Sequence, residues 1–106
     1  MDQFDTIDLS DNEIRKVDGF PLLHRLKALF LNNNKVCRIA EGLEQCLPVL
    51  ETLILTNNNI EELGDIDPLA SLQTLTYLSL LRNPVIHKPA YRYYTCLLYT
   101  SPSPRD

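Results

Sequence analysis

Four asparagines, Asn12, Asn34, Asn58 and Asn83, stand 22, 24 and 25 residues apart. Around each the same apolar positions recur. The segments "FDTIDLSDNEIRKV" from Phe4, "LKALFLNNNKVCRI" from Leu26, "LETLILTNNNIEEL" from Leu50 and "LTYLSLLRNPVIHK" from Leu75 share one template: apolar-x-x-apolar-x-apolar-x-x-Asn-x-apolar-x-x-apolar. Of its 24 positions over the four segments 23 match, Lys88 being the exception, so the fold must be argued from the repeat. A second apolar ladder lies three residues ahead of each segment, at Met1, Leu23, Leu47 and Leu72.

This period and pattern are those of a leucine-rich repeat. The stretches Ile7-Asp8-Leu9, Leu29-Phe30-Leu31, Leu53-Ile54-Leu55 and Leu78-Ser79-Leu80 alternate with period two, which predicts short strands with alternate side chains inward. Stacked repeats align them into a parallel sheet. The return segments "GFPLLHRL", "EGLEQCLPVL" and "DPLASLQTL" are too short and proline-broken for long helices, so short helices or 3₁₀ turns are expected there. The expected fold is an α/β solenoid with short parallel strands on the concave face and short helices or 3₁₀ turns on the convex side. No repeat buries its apolar face alone; stacking makes one core whose ends need caps.

Residues 1–88 hold the four repeats. Met1 already occupies a ladder position and Phe4 begins a strand, so an N-terminal cap is expected upstream of this sequence. Residues 89–94 read as the start of a C-terminal cap, with Pro89 suited to a first helical turn. Tyr91, Tyr94 and Leu98 fall on one helical face. Residues 95–106, ending "SPSPRD", are read as a non-native or disordered tail.

Little in the chain suggests chemistry. His24 and His87 lie apart, no nucleophile has an evident partner, and no Cys/His spacing suits zinc. "DLSDNE" lacks the glycine and distant glutamate of a calcium loop. Three glycines exclude a glycine-rich phosphate loop. Neither an enzyme nor a cofactor is expected. Three cysteines without a pairing pattern suit a reducing compartment. No apolar run approaches the ~20 residues of a membrane span. The net charge is -4 but uneven: residues 15–38 carry six bases (Arg15, Lys16, Arg25, Lys27, Lys35, Arg38) against Asp18, whereas residues 39–81 carry seven acids and no base. Such a division can mark a docking face.

The strand register assigns the outward residues of the sheet. They are Thr6, Asp8, Ser10 and Asp11; Ala28, Phe30, Asn32 and Asn33; Thr52, Ile54, Thr56 and Asn57; and Tyr77, Ser79, Leu81 and Arg82. Phe30, Ile54, Tyr77 and Leu81 make an apolar band with an amide-rich rim, the usual composition of a partner site. Such a groove suits an amphipathic helix laid across the strands. Asn12, Asn34, Asn58 and Asn83 are read instead as inward rungs that satisfy loop backbone. Asn59 falls one step past the ladder, in the turn.

"SDNEIRKVDGFPLLHRLKALFLNNNKVCRI", "ETLILTNNNIEELGDIDPLASLQTLTYLSLLRNPV" and "YRYY" closely resemble the A-prime family of the U2 small nuclear ribonucleoprotein, a spliceosomal particle. The resemblance covers residues 2–94 and includes positions outside the template, such as Asp18-Gly19-Phe20-Pro21 and Asp67-Pro68-Leu69-Ala70-Ser71-Leu72. It implies a nuclear, non-catalytic scaffold in pre-mRNA splicing. That family binds the RNA-recognition-motif domain of the B-double-prime protein, with a helix of that domain on the concave face. Together the two hold a stem-loop of U2 small nuclear RNA. The basic residues from Arg15 to Arg38 would supply an RNA-facing edge, since phosphates are met by Arg and Lys. The family has a further N-terminal segment and first repeat, and after Tyr94 "TCLLYTSPSPRD" departs from it and resembles a translated adapter. Two other readings stand beside this one: a leucine-rich-repeat regulatory subunit of a protein phosphatase, and a truncated reading frame without function.

Overall fold

In the computed structural model, residues 5–91 are described. Met1, Phe4, Tyr94, Cys96, Leu98 and the segment 95–106 lie outside them. Strands β1 (Thr6–Asp8), β2 (Lys16–Val17), β3 (Ala28–Phe30) and β4 (Arg38–Ile39) are followed by the one-turn helix α1 (Leu43–Cys46). Then come β5 (Thr52–Ile54), a 3₁₀ helix (Leu63–Ser71), β6 (Tyr77–Ser79) and a second 3₁₀ helix (Pro84–His87). The main sheet is parallel in the order β1-β3-β5-β6, each strand one repeat from the next. Parallel neighbours require a crossover, and the return segments supply it.

Alternation fixes the two faces. Leu29 and Leu53 point inward and are fully buried, while their neighbours on β3 and β5 are half-buried on the outer face. On the end strands the inward Ile7 and Leu78 are only half-buried; among the described residues each of these strands has a neighbour on one side alone. Leu26, Leu31, Val36, Leu47, Leu50, Leu55, Ile60, Leu69, Leu72 and Val85 belong to the same continuous core.

The return segments grow with the repeat spacing. The first, in a 22-residue step containing Pro21, holds no helix among the described residues. This departs from the expectation of a helix or 3₁₀ turn in every return. The 24-residue step accommodates α1, entered through Gly42 at φ 80°, a left-handed position that favours glycine. The 25-residue step accommodates the nine-residue 3₁₀ helix. Pro68 lies inside it and costs this 3₁₀ helix only the one N–H that proline cannot donate.

Two features differ from the sequence reading. A second parallel pair, β2 with β4, places Lys16 opposite Arg38 and Val17 opposite Ile39 on the far side of the turn. The third repeat does not extend that sheet, and its 3₁₀ helix packs against β4 instead. At the C-terminal end Pro84 opens an additional 3₁₀ turn, and helical backbone begins at Tyr91. Pro89 falls in a turn just ahead of Tyr91.

Candidate functional site

Strand register sets the concave face out in rows. Thr6, Ala28, Thr52 and Tyr77 make one row, and Asp8, Phe30, Ile54 and Ser79 the next. The ladder continues past the strand ends: Leu31 N–H donates to Ile54 O (2.8 Å) and Asn33 N–H to Thr56 O (3.0 Å). Leu9 and Asp11 repeat this toward Phe30 and Asn32, as do Leu55 and Asn57 toward Ser79 and Leu81. Ser10, Asn32, Thr56 and Leu81 therefore form a third row, and Asp11, Asn33, Asn57 and Arg82 the rim.

Phe30 and Ile54 lie directly opposite one another. On β6 that row ends in Ser79, so the apolar surface forks rather than running as one straight band. Tyr77 (55% exposed) stands one row to one side and Leu81 (63% exposed) one row to the other. The fork is bridged by the Thr56 and Ser79 hydroxyls, 2.8 Å apart.

The asparagines divide by repeat position. Asn34 Nδ2 donates to Leu31 O and to Leu9 O of the preceding repeat (both 3.0 Å), while Ile14 N–H of that repeat donates to Asn34 Oδ1 (3.1 Å). Asn58 repeats this with Leu55 O, Leu31 O and Val36 N–H, and Asn83 with Leu80 O, Leu55 O and Ile60 N–H. All three are buried. Asn12 is exposed and, among the described residues, bonds only Leu9 O and Ser10 O of its own repeat. Asn59 is exposed in the turn, where its N–H donates to Val36 O.

The rim residues share a backbone state that the template does not reveal. Asp11, Asn33, Asn57 and Arg82 all have φ of 60–62°. Asn33 Nδ2 donates to Asp11 Oδ1 (2.9 Å), and Asn57 Nδ2 donates to Asn33 Oδ1 (2.8 Å). Asn33 and Asn57 were assigned by register to partner contact; their amides already bond along the rim. The available sequence signal was the Asp or Asn directly before three of the ladder asparagines, a residue type that tolerates left-handed backbone. Asn32, assigned with them, is half-buried, and its Oδ1 is shielded without a hydrogen-bond partner. Asp8 accepts Ser10 N–H (2.9 Å), and the Ser10 hydroxyl and N–H hold its carboxyl below the usual value.

The basic residues do not form one cluster. Arg15, Lys16, Lys35 and Arg38 gather where β2 meets β4, with Lys35 N–H donating to Ile14 O and Cys37 N–H to Arg15 O. Arg25 and Lys27 lie at the opposite ends of the strands, where Lys27 N–H meets Asp5 O and Arg25 is 3.7 Å from the Asp5 carboxylate. Lys16 is 3.6 Å from Asp18. All six cations are exposed. Among the described residues no cluster of His, Cys, Asp and Glu could hold a metal, and no helix is long and apolar enough to cross a membrane.

A leucine-rich-repeat family profile matches residues 1–101. The chain belongs to the leucine-rich-repeat family. Within it, the chain is homologous to U2 small nuclear ribonucleoprotein A′ proteins. It is 66% identical to the Homo sapiens protein over 105 residues, which is 99% of this chain and 40% of that protein. It is 44% identical to the Schizosaccharomyces pombe protein over 102 residues, 96% of this chain and 42% of that one. The chain thus spans about 40% of the length of these relatives. Among solved structures it is similar to the crystal structure of the Drosophila melanogaster SNF/U2A′ complex, with a TM-score of 0.94 and 52% identity, covering 99% of this chain and 60% of that one. The leucine-rich-repeat scaffold of these spliceosomal proteins is non-catalytic.

Proposed function

We propose that this chain is the repeat module of a nuclear U2 small nuclear ribonucleoprotein scaffold in pre-mRNA splicing. In this reading it holds the recognition-motif domain of a B-double-prime-type protein on its concave face, a helix of that domain lying across the strands. The two together hold a stem-loop of U2 small nuclear RNA. The observation that carries the reading is the likeness, at TM-score 0.94, to a U2A′ chain solved in complex with a partner protein, SNF. Its physical support is the face itself: Phe30 and Ile54, paired in register, with Tyr77 and Leu81 exposed beside them. Apolar anchors within a polar surround are the usual source of binding energy. The exposed cations Arg15, Lys16, Lys35 and Arg38 suit phosphate contact.

Calorimetric titration of the chain with the recognition-motif domain, with and without its RNA stem-loop, tests the reading. Saturable binding to the domain, strengthened by RNA, is expected. A folded chain that binds neither the domain nor the domain–RNA complex would overturn it.

A further inference from the structure

The rim row reads Asp11, Asn33, Asn57, Arg82, all with left-handed backbone. Asp and Asn suit that state because their short side chains bond locally, whereas a long side chain is disfavoured there. Arg82 is therefore the rim residue that turn preference does not explain. Contacts do not explain it either: among the described residues its guanidinium has no hydrogen bond or ion pair. Residues held in sparsely populated backbone regions cluster at functional sites. At the other end of the face, Asp11 and Asp8 are exposed carboxylates with no cation partner among the described residues. Between the ends lie two neutral amides and the Phe30–Ile54 pair. The concave face thus has a charge order along the solenoid: negative on the first repeat, apolar in the middle and positive on the fourth.

We propose that this order selects the partner helix and fixes which way it lies. A cation sits over Asp8 and Asp11, apolar side chains cover Phe30 and Ile54, and an anion meets Arg82. The proposal rests on the reading that a partner helix crosses the strands. The row spans three inter-strand spacings, about 14 Å at ~4.8 Å each. A helix rises 1.5 Å per residue, so this length is about ten residues, and the nearest spacing that keeps both charges on one helical face is about 11 residues, three turns. Apolar side chains at the intervening fourth, seventh and eighth positions then point at the sheet. A helix laid the other way would bring like charges together at both ends, and such clashes exclude wrong partners and wrong orientations.

The test measures binding of the recognition-motif domain to the wild-type chain and to Arg82→Glu, Asp11→Lys and Arg82→Asn, at low and at physiological salt. Circular dichroism establishes that each variant is folded. Arg82→Glu and Asp11→Lys should each weaken binding about tenfold or more at low salt, and less at higher salt. Replacing the facing acid of the docked helix by lysine should restore Arg82→Glu at least about fivefold, as for a directly paired charge. Arg82→Asn suits the left-handed backbone, so it keeps the fold and still loses several-fold in affinity. If the wild type binds but the charge changes have no effect, or no partner change restores Arg82→Glu, the charge order is overturned while helix docking stands. If the folded wild type does not bind, docking is overturned and the charge order with it.

Discussion

At the residue scale, one amide does two kinds of work according to what is stacked against it. Asn58 joins two repeats, through Leu31 O and Val36 N–H on one and Leu55 O on its own. Its site is buried, so removing the amide strands backbone groups away from water, each at about 1–3 kcal/mol. Asn58→Ala should therefore lower the unfolding free energy by about 3 kcal/mol or more in urea denaturation. Asn12→Ala should cost less than about 1 kcal/mol, because the backbone groups that Asn12 bonds belong to an exposed turn. Equal losses would mean that the ladder contributes through local turn formation alone. The template placed both residues on one ladder. It could not separate them, because burial depends on a neighbouring repeat rather than on the residue's own segment. The rim was hidden for a related reason: register says which way Asn33 and Asn57 face, but a left-handed backbone leaves no periodic trace in the sequence.

At the element scale, the four strands of the main sheet were legible because three residues of period-two alternation recur at fixed distances from an asparagine. The β2–β4 pair was not, since two-residue strands such as Lys16–Val17 are too short to show any period. The lengths of the returns were legible only as a limit on helix length. What fills each one follows from how many residues remain once strand and turn are built. Position in the stack also sets what a strand contributes. Leu53 on β5 has repeats on both sides and is 1% exposed, whereas Leu78 on β6 is half-buried. Leu53→Ala should cost about 3 kcal/mol, within the usual range for a buried leucine. Leu78→Ala should cost about half of that, measured by the same denaturation. A larger loss at Leu78 would show that the last repeat, rather than the middle of the stack, holds the solenoid together.

At the scale of the whole molecule, the solenoid sorts charge that the sequence presents as one run. The six cations between residues 15 and 38 share one stretch of sequence but not one place on the surface. Arg25 and Lys27 meet the Asp5 end of the strands, while Arg15, Lys16, Lys35 and Arg38 gather around β2 and β4. Neither group lies on the concave face, so protein and RNA can be bound at once without competing for the same side chains. This separates two functions that a single mutation set can test. Lys16 and Arg38 are opposite one another in register and exposed. Phosphate contacts release counterions, and each one lost reduces the salt slope by about 0.9 for duplex nucleic acid. The double change Lys16→Ala, Arg38→Ala should flatten the salt dependence of binding to the domain–RNA complex by about 1.8. Binding to the recognition-motif domain alone should be unchanged. An unaltered slope would move RNA contact away from the β2–β4 side, leaving Arg25 and Lys27 at the opposite strand ends as the cations to change next.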